Sequence, residues 1–144
     1  MIIHRRFAQE NPETLFMIVR NSTADVWSQG YPVCGALINA SSANGYDAEK
    51  PATSNLGMWW GVVEDTSIST QKFGVIQVWG YNSKAFVRFE DVDSVVPEGT
   101  VLGPLQEQYY CNRWNQYGLG PMILMSRHAA ADFEGQTRVF IRGL

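Results

Sequence analysis

Cys111 and His128 are the residues whose types come nearest to a catalytic pair, a thiol beside an imidazole that Asp132 or Asn112 would orient. No local signature of a cysteine hydrolase surrounds Cys111, so a structural thiol and a surface histidine account for the same residues. The only other histidine, His4, lies near the start of the chain. A serine nucleophile is not indicated, because no Gly-x-Ser-x-Gly elbow occurs. Gly118, Gly120 and Pro121 lead into an apolar strand rather than a helix, which is not the setting of a phosphate loop. Glu64 and Asp65 are adjacent, and neighbours on a strand point apart, so they read as a solvated turn. Glu90, Asp91 and Asp93 lack the glycine and the distal glutamate of a calcium loop. The expectation is no catalytic site, no metal and no cofactor.

Recognition has better candidates. Tyr109, Tyr110, Trp114 and Tyr117 are interleaved with Asn112, Arg113 and Asn115. Aromatic faces beside amides and a guanidinium grip sugars and protein partners, and Tyr, Trp and Arg dominate interface hot spots. The same residues equally suit a packed corner of the core. Trp59 and Trp60 are neighbours on a strand, so one of them is expected to face outward or into an interface. With Phe7 near the N-terminus, the candidate partner-contact residues are Phe7, Trp59, Trp60, Tyr109, Tyr110, Arg113, Trp114 and Tyr117.

The elements that must carry these residues are strands. Residues 1–14 are polar and aperiodic around Asn11-Pro12 and read as an extended arm that orders against a partner; residues 15–144 form a single β domain. Phe16 to Val19 is a first strand ended by Asn21-Ser22-Thr23. Tyr31 to Ile38 is a second apolar run, in which Pro32 marks an edge or a strand start. Residues 39–55 read as a long exposed loop, and Leu56 to Val63 resumes the sheet. Phe73 to Tyr81 and Lys84 to Phe89 read as a hairpin turning at Asn82-Ser83, with Lys84, Phe86 and Arg88 on one face and Ala85, Val87 and Phe89 on the other. Pro97-Glu98-Gly99 predicts a second turn, glycine supplying positive φ. Strands follow at Met122 to Met125 and Thr137 to Ile141, giving about eight in all, with one short helical candidate at Ser126 to Phe133.

Composition narrows the function classes. The 144 residues suffice for one domain with one core, and charged residues, at 17%, fall below the usual quarter or so. A net charge of -3 and a pI near 5.3 argue against a nucleic-acid partner, since no basic cluster is present to release phosphate counterions. No run of about 18 apolar residues predicts a membrane span, and the first residues hold no apolar signal region. Cys34 and Cys111 stand outside any zinc spacing and are expected to be reduced, partly buried thiols of a chain made in the cytoplasm.

Three segments together resemble the small structural proteins of tailed phages, of the head decoration or capsid-stabilising kind. They are MIVRNSTADVWSQGYPV, GVVEDTSISTQKFGVIQVWGY with its G-x-(V/I)-Q-V-x-G strand, and SKAFVRFEDVDSVVPEGTVLGP, where a strand, an acidic link and a G-x-x-L turn follow in order. Trp27 departs from the pattern by replacing a smaller apolar residue, and the 39–55 segment has no counterpart in it. The resemblance implies a non-enzymatic virion protein, assembled in the host cytoplasm onto the outer capsid surface. Its partner would be the major capsid protein, its oligomer a trimer, and its N-terminal arm would reach over the shell. The expected fold is all-β, a small single-domain β-barrel or β-sandwich (β-tulip-like) with an extended N-terminal arm and little helix. The alternative reading is a carbohydrate-binding or host-adhesion β module of a virion, and a small cysteine hydrolase is the third.

Overall fold

The computed structural model describes residues 3–6 by their backbone alone, and 14–36, 46–52, 58, 60–89, 95–113, 120–128 and 133–143 in full. These residues form an all-β structure without a helix. The strands are β1 (Ile3–Arg6), β2 (Thr14–Asn21), β3 (Trp27–Ser28), β4 (Pro32–Gly35), β5 (Tyr46–Glu49), β6 (Trp60–Val63), β7 (Ser67–Ile68), β8 (Phe73–Phe89), β9 (Val101–Pro104), β10 (Cys111–Arg113), β11 (Met122–Leu124) and β12 (Phe133–Arg142). Ten of them make one large mixed sheet, and β3 and β7 pair separately. This is not the clean barrel or sandwich that was expected, because the pairings close on themselves twice. β2, β5, β4, β6 and β8 form one circuit; β8, β10, β9, β11 and β12 form another, and β8 belongs to both.

Each circuit encloses its own core. The first holds Met17, Val19, Trp27, Val33, Ala48, Val63, Ile68, Ile76 and Val78; the second holds Val62, Ala85, Val87, Phe89, Val96, Leu102, Cys111, Met122, Leu124, Val139 and Ile141. Val62 and Val63 are consecutive on β6 and point to opposite sides, so one short strand feeds both cores. Burying a side chain of this kind contributes about 1.5–3 kcal/mol relative to exposure. The ends of β6 and β12 abut, with the Trp60 N–H donating to the Gly143 carbonyl at 2.9 Å.

β8 corrects the sequence reading most sharply. Asn82-Ser83 is not a hairpin turn; the strand runs unbroken for 17 residues. A bulge in the pairing with β12 lies there, Ala85 facing Thr137 and Asn82 facing Val139. Asn82 and Ala85 are both buried, while Ser83 is exposed and Lys84 half-exposed, so the extra residue keeps the inner face of the strand inward past the bend. The expected alternation then holds, with Ala85, Val87 and Phe89 buried.

Three further expectations change. Tyr46–Glu49, placed in the long loop, is strand β5, running parallel to β2 and antiparallel to β4. Its polar sequence conceals it: Asp47 is buried because Arg20 pairs with both of its carboxylate oxygens at 2.8 Å, a bond that raises the guanidinium pKa further. Within the expected arm, Ile3–Arg6 pairs antiparallel with residues 14–17 of the same chain, on the part of β2 that β5 leaves open. Residues 126–128 are not helical, and His128 instead makes an isolated bridge with Val96. The turn at Pro97-Glu98-Gly99 forms as expected: Gly99 has φ +82° and the Thr100 N–H donates to the Pro97 carbonyl at 3.3 Å.

Candidate functional site

The loop between β9 and β10 reaches from the second circuit across to the first, and Tyr109 is its anchor. Its ring stacks on Tyr31 with centroids 4.8 Å apart, and the Lys50 ammonium lies 4.6 Å from its centroid. Its hydroxyl accepts from Trp27 Nε1 at 3.2 Å and donates to Asp25 Oδ2 at 2.9 Å. Burial, with the Asp25 carboxylate beside it, pushes the phenol up to about 12. The Glu107 N–H donates to the Pro51 carbonyl at 2.8 Å, which fastens the same loop a second time. Between the two readings open for this residue, packing is the one observed: Tyr109 is a brace between the circuits and packs against the first core.

The other expected contact residues are dispersed. Trp60 is buried on β6 between β4 and β8 and presents no surface, which corrects its place among the contact residues. Tyr110 is half-buried under the Arg88 guanidinium, 5.4 Å from its centroid. Arg113 is half-buried on β10. Phe7, Trp59, Trp114 and Tyr117 lie outside the described residues, as do Glu90, Asp91, Asp93 and Asp132. Asp65 is occupied structurally, accepting from the Val75 N–H at 2.8 Å, and Glu64 stands 3.9 Å from Lys84 Nζ.

Cys111 and His128 do not act on one another. The Cys111 thiol is buried in the second core, pointing to Met122 Sδ at 3.7 Å, and burial raises its pKa well above the ordinary thiol value. Such a sulfur stays protonated. Cys34 is likewise buried, its thiol pointing to the Glu49 carbonyl oxygen at 3.6 Å.

His128 belongs to a different cluster, which the sequence reading did not find. Its Nε2 lies 2.6 Å from Thr137 Oγ1, which lies 2.8 Å from Ser126 Oγ; Ser126 Oγ and His128 Nε2 are 3.4 Å apart. The imidazole sits against Phe133, centroids 4.1 Å apart, and Phe89, 5.7 Å. Burial there lowers its pKa. The cluster opens into a cleft of about 440 Å³ lined by Ser83, Ser126, Arg127, His128, Phe133, Gln136, Thr137 and Arg138. Ser126 and His128 are two apart and not in a helix, and both side chains meet Thr137, a relation hidden by reading the segment as helix. Thr137 joins them only through folding.

Comparison with protein-family models, with curated proteins and with solved structures found no match to this chain.

Proposed function

We propose that the chain is a non-enzymatic structural protein of a virion, a β domain that binds the outer surface of a phage capsid through the major capsid protein and stabilises the shell. The observation that carries this reading is the exposure of large hydrophobic side chains near the end of β2. Val26, Tyr46 and Phe73 are 56%, 43% and 49% exposed, and with Met125 they are the large hydrophobic residues exposed among those described. Register sets Tyr46 beside Val19 and Phe73 beside Arg20, and Val26 follows the turn that begins at Asn21. Exposed aromatic side chains of this kind are enriched in protein-binding surfaces.

The resemblance to capsid-decoration proteins supports the same reading, since its second and third segments span β6 to β9 and include the shared strand β8. A scaffold braced in this way suits repeated weak attachment to a symmetric lattice, where copy number converts modest contacts into avidity. Trimerisation belongs to the proposal.

Mass spectrometry of purified particles from the genome that encodes this chain tests it. The expected result is recovery of the chain in fixed proportion to the major capsid protein, and its absence from intact particles overturns the proposal. Co-sedimentation with assembled shells then tests the surface: Tyr46→Ser with Phe73→Ser should release the domain without moving its unfolding midpoint.

A further inference from the structure

We propose that the cleft between residues 126–128 and β12 binds an oxyanion, a phosphate or carboxylate group of a small molecule, between Arg127 and Arg138 with Ser126 Oγ as hydrogen-bond donor. The first argument is charge. The chain carries a net charge of -3, yet the described lining of this cleft holds two guanidiniums and no carboxylate. Several other cationic side chains are paired: Arg20 with Asp47, Arg88 with Glu134, Lys84 with Glu64, Arg142 with the Gly120 carbonyl. Arg127 and Arg138 are exposed and make no side-chain hydrogen bond or ion pair to a described residue, although both border the same cleft. Two guanidiniums facing one cavity repel each other until an anion lies between them.

The second argument is the direction of the hydrogen-bond chain. With a proton on Nε2, His128 donates to Thr137 Oγ1, Thr137 donates to Ser126 Oγ, and the Ser126 hydroxyl proton is left to point at a ligand. Thr137, the middle member of this chain, is buried. The Ser126 end is half-exposed and opens to the cleft. An anion there favours this proton arrangement and the imidazolium at its far end. The charged groups on the elements around His128 are Arg127 beside it, Arg138 and Glu134 on β12, Arg88 on β8 and Glu98 after Val96, and Glu134 is held by Arg88 at 3.4 Å. No described carboxylate therefore competes for the cleft.

Titration of the isotope-labelled protein with inorganic phosphate and, separately, with sodium acetate, at constant ionic strength, tests the proposal by NMR. Saturable shifts are expected at residues 126–128 and 137–138, with a rise in the His128 pKa as the ligand binds; the tighter-binding probe identifies phosphate or carboxylate as the natural group. Arg127→Ala with Arg138→Ala, both exposed positions, should weaken binding by roughly tenfold or more, and Thr137→Val should uncouple the His128 pKa from the ligand. Lys72→Ala, distant in the fold, should change nothing. Absence of saturable shifts with both probes, or binding unaltered in the double arginine variant, overturns the proposal.

Discussion

Asn82 Nδ2 donates to Gln77 Oε1 at 2.8 Å, and both side chains are buried on β8 at the bend where the strand passes from one circuit to the other. Gln77 Nε2 donates in turn to the carbonyls of Trp79 and Tyr81, and Asn82 Oδ1 accepts from the Lys84 N–H at 2.8 Å. Two amides thus satisfy the backbone groups that the bulged strand leaves without ladder partners. Asn82→Ala should cost about 2 kcal/mol, because it strands Gln77 Oε1 and the Lys84 N–H in the interior. Urea unfolding of Asn82→Ala, Gln77→Ala and the double variant measures this. A coupling of about 1 kcal/mol is expected, and strict additivity would show that the amides do not act together.

Gly30 and Gly99 both have positive φ, +92° and +82°, but only Gly30 is enclosed. A Cβ on Gly30 would lie 2.0 Å from the Lys84 carbonyl oxygen, whereas nothing stands within 4 Å of one on Gly99. Gly99→Ala should cost about 1 kcal/mol, the strain of the left-handed conformation alone. Gly30→Ala should cost about 3 kcal/mol or more, since β8 must also move away from the turn. Equal thermal or urea midpoints for the two variants would contradict this difference.

Arg20 and Asp47 are unequally covered, their side chains 29% and 2% exposed. Removing the cation therefore leaves a carboxylate in the interior, while neutralising the carboxylate leaves a guanidinium that water can reach. Arg20→Met is expected to destabilise the domain by about 3 kcal/mol, and Asp47→Asn by roughly half as much. The reverse order in chemical denaturation would mean that β5 is held by something other than this pair.

His128 sets an acid limit on stability. Its folded pKa lies below the ordinary value of 6.5, so the unfolded chain binds the extra proton first. The stabilisation is complete above about pH 6.5 and is lost as the pH falls from there through the folded pKa. The urea midpoint should decline over that window in the parent protein, and His128→Gln should flatten the decline. An unchanged slope in the variant would assign the acid sensitivity to other groups.

The local regularities of the chain are readable from its sequence. The alternation from Lys84 to Phe89, the turn at Pro97-Glu98-Gly99 and the halt of β2 at Asn21 arise from neighbours a few positions apart, and all three are found in the fold. Asn82-Ser83 reads as a hairpin turn and the strand passes straight through it, although Asn82 does hold the N–H of Lys84 as in a turn. Whether the chain then reverses depends on Gln77 and on β12, and neither is visible in the dipeptide. β5 was hidden for a related reason: Asp47 enters a strand only because Arg20, 27 positions earlier, is there to pair with it.

The sequence by itself thus determined that the chain would be built of β-strands, because alternation, turn chemistry and residue type act over short range. Tertiary structure alone decided that β8 would serve two cores, that Tyr109 would brace them, and that Ser126, His128 and Thr137 would meet beside two arginines. Those outcomes rest on pairings and buried hydrogen bonds between distant segments, which come into being only when the sheet closes.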